Sequence, residues 1–68
     1  MKVRLNGNEV ELADGAAVAQ AVASLGVGAL TPGVAVAVAG EVVPRAQWTS
    51  RRLSDGETVE VVHAVQGG

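Results

Sequence analysis

Alternating polar and apolar residues open the chain. Lys2-Val3-Arg4-Leu5 and Glu9-Val10-Glu11-Leu12 both alternate strictly, which is typical of a strand with one buried face. Asn6-Gly7 lies between the two runs, and Asn-Gly is a strong hairpin signal because both residues tolerate positive φ. The pattern predicts an antiparallel hairpin with four side chains facing a core: Val3, Leu5, Val10 and Leu12.

A helical pattern follows the hairpin. Residues 14–25 are rich in Ala, the best helix former, and Asp14 is placed to accept the free N–H groups of a first turn. Larger apolar residues recur at spacings of four and three, which puts them on one face: Val18, Val22 and Leu25. With Gly26 as a stop, we predict a helix of about three turns from Asp14 to Leu25, packed on the hairpin.

The second half of the chain reads mainly as strands. After a loop over 27–33, residues 34–39 alternate Val and Ala and are therefore apolar on both faces, as in an internal strand covered on both sides. Gly40-Glu41 predicts a turn, and Val42-Val43 predicts a short return strand that ends at Pro44.

A last strand is predicted over 57–65, after an irregular segment or single helical turn over 45–50 and a turn at Asp55-Gly56. Val59 and Val61 are expected to point inward. The order β-β-α-β-β-β predicts an α+β fold, with one helix packed on a mixed sheet of four to five strands. The first and last strands are expected to be parallel and central. Residues 1–65 form the domain, and 66–68 are expected to be a flexible tail.

Composition excludes several classes of function. The chain has 68 residues, 49% hydrophobic and 18% charged, with a net charge of -2 and no cysteine. This balance indicates a globular chain, and the lack of cysteine excludes disulfides and thiolate metal sites. Arg51-Arg52 is too small for the basic stripe of a nucleic-acid-binding protein. No apolar run reaches the ~18 residues that span a bilayer, and no signal-peptide core is present. We expect a cytoplasmic protein without nucleic-acid or membrane partners.

The side chains offer little chemistry. His63 is the only histidine, so it has neither a cysteine partner nor a second histidine for a metal. Ser24, Ser50 and Ser54 lie in no nucleophile pattern, and the carboxylates are dispersed. We therefore expect that the protein is not an enzyme and that it has no catalytic residue, no metal site and no bound cofactor.

The C-terminal residues Gln66-Gly67-Gly68 are the exception. A Gly-Gly end has no side chains and can enter a narrow channel in another protein. Its terminal carboxylate is ionised at neutral pH and needs a leaving group, such as adenylate, before a nucleophile can attack. The alternative is a frayed tail or a cloning remnant.

Several motifs together resemble the ThiS family, the sulfur-carrier proteins of thiamine biosynthesis. They are Gly40-Glu41-Val42-Val43-Pro44-Arg45 followed by Trp48, the end Val65-Gln66-Gly67-Gly68, the Asn6-Gly7 hairpin and Asp55-Gly56. Ubiquitin and the molybdopterin synthase small subunit share the Gly-Gly end, so Val-Pro-Arg followed by Trp is more discriminating. Ala39 departs from the pattern, because Asn is expected before the Gly-Glu turn.

The resemblance implies a β-grasp, ubiquitin-like fold and a carrier mechanism. A ubiquitin-activating-like adenylyltransferase uses ATP and Mg to adenylate the Gly68 carboxylate. A persulfide sulfurtransferase converts it to a thiocarboxylate, and thiazole synthase receives the sulfur. The expected partner surface has four members: Val62, Val65, Arg45 and Trp48.

Simpler interpretations of these residues remain open. Pro44-Arg45 can end a strand, Trp48 can cover the edge of the core, and Val62, Ala64 and Val65 can pack against neighbours. Two other functions also remain. One is a carrier like the molybdopterin synthase small subunit, although His63-Ala64-Val65-Gln66 lacks its proline-rich approach. The other is a ubiquitin-like modifier or passive interaction domain.

Overall fold

Five strands and one helix make up the described part of the chain, which in this computed structural model is residues 1–28 and 31–63. The elements are β1 Lys2–Leu5, β2 Asn8–Glu11, α1 Val18–Ser24, β3 Val34–Val38, β4 Glu41–Val43, a 3₁₀ turn Arg45–Gln47 and β5 Thr58–His63. The strands form one sheet in the order β2-β1-β5-β3-β4. The mixed sheet, its single helix and the β-β-α-β-β-β order are confirmed.

The first hairpin forms as the alternation predicts. Val3 lies opposite Val10 across β1 and β2, and the connecting turn has the expected positive φ, 50° at Asn6 and 83° at Gly7. Val3 and Leu5 are buried, while two further side chains pack against the core as half-buried residues: Val10 and Leu12.

β5 occupies the centre of the sheet. It runs parallel to β1, with Leu5 opposite Val59, and antiparallel to β3, from Val38 opposite Val59 to Val34 opposite His63. The expected parallel pairing of the first and last strands is confirmed. Val59 and Val61 are buried, as predicted, and Val62 points to the opposite face.

The helix begins later than predicted, at Val18. Gly15 has a φ of 80°, a left-handed conformation that interrupts a right-handed helix between Asp14 and Val18. Asp14 is therefore not the N-cap. Its Oδ1 instead accepts a hydrogen bond from the amino group of Met1 at 3.0 Å.

Backbone carbonyls from a remote segment complete the first turn of α1. The N–H groups of Val18 and Ala19 donate to the carbonyls of Arg51 and Trp48, each at 2.9 Å. The amide oxygen of Gln20 accepts from the Ala17 N–H at 2.7 Å. These bonds satisfy donors that a helix leaves free at its start, so the helix depends on the 45–53 segment for its cap.

The apolar face of the helix also differs at its far end. Leu25 is 43% exposed, because α1 ends at Ser24 and Leu25 is the C-cap with ψ near 2°. Three residues form the buried face: Val18, Ala21 and Val22. The predicted end of the helix at Gly26 is confirmed, since Gly26 has a φ of 77° and its N–H donates to the Ala23 carbonyl.

β3 is internal, as predicted, but the expectation that both of its faces are covered is wrong. Val36 and Val38 are buried, whereas Ala35 is exposed and Ala37 half-buried. The reason is that the helix covers one face of the sheet, and the described chain places no second layer on the other. The sheet thus has a helix face and an outer face.

The turn before β5 is fixed by its polar groups. Asp55 Oδ1 accepts from the Lys2 N–H at 2.8 Å, and the Gly56 N–H donates to the Lys2 carbonyl at 2.7 Å. Partial burial pushes the pKa of Glu57 upward, but the Ser54 N–H and the Arg51 guanidinium outweigh it and hold that pKa below its usual value. The predicted Asp55-Gly56 turn is confirmed.

Ala39 carries local strain that a substitution should remove. It has a φ of 52° and precedes Gly40 at 83°, so it occupies a left-handed position that disfavours a Cβ. We expect Ala39→Asn to stabilise the domain by about 0.5–1 kcal/mol, because Asn tolerates this region. Thermal unfolding should then shift upward by several degrees, at ~4–8 °C per kcal/mol for a small domain.

Ala46→Asn is the matched control. Ala46 is exposed, and it does not have a positive φ, because Ala39 and Asn6 are the non-glycine residues with positive φ in the described ranges. An equal gain from Ala46→Asn, or none from Ala39→Asn, would show that Ala39 is not strained.

Candidate functional site

The strand register separates charged from apolar residues on the outer face. β1 and β2 place charged side chains there: Lys2, Arg4, Glu9 and Glu11. Lys2 Nζ and Glu9 Oε1 lie 3.9 Å apart. On the other half of the same face, β3, β4 and the end of β5 present Ala and Val instead, with Glu60 opposite Ala37 at the boundary between the two halves. The outer face is therefore polar on one side and apolar on the other.

The apolar half forms the outer patch, which we define as Ala35, Ala37, Val42 and Val62. Ala35 lies opposite Val62, and Ala37 lies opposite Val42, so the four side chains are neighbours on one face. Val42 is 75% exposed and Val62 is 61% exposed. Contiguous exposed apolar residues of this kind mark interaction surfaces.

The outer patch adjoins the strand that leads to the C-terminus. Val62 is exposed on β5, which is described as far as His63, five residues before Gly68. Four of the expected site residues lie outside the described residues: Val65, Gln66, Gly67 and Gly68. The structure thus places one member of the expected partner surface, Val62, on the outer patch.

Trp48 does not lie on the outer patch. It is 2% exposed, and its indole Nε1 donates to the Val43 carbonyl at 3.0 Å. Val43 belongs to the buried core, so Trp48 packs on the helix face, with the sheet between it and Val62. Its interpretation as a cover of the core is right, and it is not available as an exposed aromatic anchor.

Arg45 accompanies Trp48 rather than the outer patch. Its guanidinium carbon lies 4.5 Å from the centre of the Trp48 ring, a cation–π distance. Its Nη2 donates to the Thr31 carbonyl. Arg45 is exposed, but its contacts tie the 3₁₀ turn to Trp48 and to the loop before β3.

Sequence reasoning missed Val42 and the two alanines of the outer patch. The signal for Val42 was present, because two adjacent valines in a strand cannot both face the core. Ala35 and Ala37 were expected to be covered. Ala35 is exposed and Ala37 half-buried because there is a single helical layer, which the alternation of Val and Ala did not reveal.

The described side chains supply no metal cluster. Across residues 1–28 and 31–63, no group of three His, Asp or Glu residues is close enough to hold an ion. His63 is exposed at the end of β5. Within the same ranges, no helix has the length and apolar character needed to cross a membrane.

The fold and its comparisons identify the class and then the family. A mixed sheet with parallel, adjacent first and last strands and one crossing helix defines a β-grasp, ubiquitin-like domain. The model of the ThiS family matches residues 3–68, and the chain belongs to that family. The resemblance stated from the motifs is confirmed, and it supports a sulfur carrier of thiamine biosynthesis.

Two solved structures of thiamine biosynthesis proteins are similar to this chain over its full length. The crystal structure of the thiamine biosynthesis protein ThiS from Geobacter metallireducens has a TM-score of 0.79 and 28% identity, with all of both chains covered. The solution structure of a thiamine biosynthesis protein from the same organism has a TM-score of 0.78 and 28% identity, over all of this chain and 88% of that one. A search of curated proteins found no significant match.

The position of Trp48 predicts an effect on stability and not on partner binding. Trp48→Phe keeps most of the apolar volume but leaves the Val43 carbonyl without its donor, which costs about 1–3 kcal/mol when the group is buried. Thermal unfolding should move down by several degrees. Affinity for the activating enzyme that the resemblance implies, measured by titration at a temperature where the variant is folded, should be unchanged. Weaker binding with normal unfolding would contradict this placement.

Proposed function

We propose that the protein carries sulfur on its C-terminal Gly68 carboxylate for the thiazole of thiamine. The observation that carries the proposal is membership of the ThiS family over residues 3–68, a range that includes the Gly-Gly end. The exposed outer patch beside the strand leading to that end supports it. The carrier is a recycled co-substrate, and its partners perform the catalysis.

The proposed sequence of reactions begins with activation. A Gly68 carboxylate oxygen attacks the α-phosphorus of MgATP on a ubiquitin-activating-like adenylyltransferase, and pyrophosphate leaves. The persulfide sulfur of a sulfurtransferase then attacks the acyl adenylate, and AMP leaves. A thiol cleaves the resulting acyl persulfide, forming a disulfide and releasing the thiocarboxylate. Thiazole synthase receives this sulfur.

Successive partners dock, in this proposal, on the outer patch. Val62 stands on β5, the strand that continues to Gly68, and Val42 extends the apolar surface to β4. A partner that covers this patch holds the carrier at a fixed place relative to the end of the chain. Because both the activating enzyme and thiazole synthase need that end, they are expected to compete for the same surface.

The first test concerns the last residue. Deleting Gly68, or adding one residue after it, should abolish ATP–pyrophosphate exchange by the activating enzyme, because the adenylated carboxylate is removed or displaced. The fold, followed by thermal unfolding, should be unchanged. His63→Gln is the control and should retain near-normal exchange and thiocarboxylate formation, measured by intact mass. Normal exchange by the truncated protein would refute the proposal, and stable isopeptide conjugates in cells would favour a modifier.

The second test concerns the outer patch. Val62→Asp and Val42→Asp should each weaken binding to the activating enzyme by roughly thirtyfold, because each places a charge in a hot spot worth ~2 kcal/mol that the docked partner would bury. Thermal unfolding should change little, since both side chains are exposed. Excess thiazole synthase should also inhibit adenylation.

Thr58→Asp is the matched control, because it adds the same charge to the same strand and face outside the patch. Similar weakening by Thr58→Asp, or simultaneous binding of both enzymes to one carrier, would show that the outer patch is not the shared surface.

A further inference from the structure

Asn6 lies where β1 ends and β5 continues. β1 stops at Leu5 opposite Val59, whereas β5 runs on to His63. The last backbone bond between the two segments joins the Asn6 N–H to the Val59 carbonyl at 2.9 Å. The chain then turns away through Gly7, so β1 offers no strand beside Val61.

The side-chain amide of Asn6 occupies the place of that missing strand. Its Oδ1 accepts from the Val61 N–H at 2.8 Å, and its Nδ2 donates to the Val61 carbonyl at 3.1 Å. A neighbouring strand would pair the same two groups. Val61 is only 8% exposed, so leaving either group without a partner would be unfavourable.

The second hairpin shows that the turn itself does not need an amide. Ala39-Gly40 has φ values of 52° and 83°, almost equal to the 50° and 83° of Asn6-Gly7, although alanine has no polar side chain. Such a turn can therefore form without an amide, although alanine is strained there, and the turn alone does not explain the two bonds that the Asn6 amide makes to Val61.

We propose that Asn6 is a positioning residue that holds the end of β5 and thereby presents the C-terminal residues for adenylation. This inference rests on the proposed function. β3 pairs with β5 along one edge as far as His63, while Asn6 secures Val61 on the other. Without Asn6, β5 at Val61 is held on one edge alone, and the strand that leads to the adenylated end is less firmly fixed to the sheet.

The inference makes a specific kinetic expectation. Three residues of the outer patch lie on strands that Asn6 does not contact: Ala35, Ala37 and Val42. Of the outer patch, only Val62 adjoins the residue that Asn6 holds, so KM for the carrier should change less than kcat when Asn6 is replaced. The value of kcat for adenylation should fall about fivefold, which is the effect of having to order one more backbone residue in the docked complex.

The experiment compares Asn6→Gly with Ala39→Gly by ATP–pyrophosphate exchange on the activating enzyme. Both substitutions place glycine at the same turn position, but only Asn6→Gly removes the amide. Asn6→Asp is the second variant. It keeps an acceptor for the Val61 N–H and loses the donor, so its kcat should lie between those of the wild type and Asn6→Gly. A normal kcat for both Asn6 variants would overturn the proposal.

Amide hydrogen exchange of the free carrier provides the independent readout. In Asn6→Gly the Val61 amide should exchange faster, and by a larger factor than the Val36 amide of β3, which reports opening of the core. Ala39→Gly should leave the ratio of the Val61 exchange rate to the Val36 exchange rate unchanged. If Asn6→Gly also left this ratio unchanged, the two hydrogen bonds would not hold Val61, and the clamp, meaning the hold of the Asn6 amide on Val61, would be overturned. If the wild type were not adenylated at all, the proposed function would fail together with the kinetic role, whereas faster Val61 exchange would still establish the clamp.

Discussion

The parallel pairing of β5 with β1 is the contact on which the rest of the structure depends. It sets Leu5 beside Val59, and both side chains are almost fully buried. A parallel pair needs a crossover connection, and the intervening chain supplies one that includes α1, β3 and β4. Because β5 pairs with β3 on its other edge, the same strand joins both halves of the sheet. Its alternation then dictates that Val61 faces the helix and Val62 the outer face.

The short helix is stabilised by the chain around it more than by its own sequence. Seven residues make a weak helix in isolation, and α1 has no capping side chain at Ala17. The carbonyls of Trp48 and Arg51 accept its first N–H groups. Trp48 is in turn fixed by the Val43 carbonyl and covered by Arg45. The residues that resemble the ThiS motif thus form the support of the helix start.

Local patterns were enough to predict the strands, the turns and the fold class, because alternation and Asn-Gly or Asp-Gly pairs act over a few residues. They were not enough where long-range contacts decide. Asp14 looked like an N-cap, but Gly15 turns left-handed and remote carbonyls cap the helix instead. Ala35 looked covered, and only the single helical layer shows that it is not. Asn6 was read as a turn residue, since nothing in the sequence places its amide beside Val61.

A domain with one covering layer must leave a sheet face to solvent, and this chain does so in two ways. On β1 and β2 it uses charged residues, which solvate the face and gain little else. On β3, β4 and the end of β5 it uses Ala and Val, which contribute nothing to the core while exposed. An apolar face beside an open sheet edge invites self-association. Here the edge strand β4 has three residues, with Glu41 at one end and Pro44 following the other, so the edge is short and poorly suited to strand pairing. The patch remains open to a folded partner while strand addition at its edge is restricted, which suits the successive partners that we propose for the carrier.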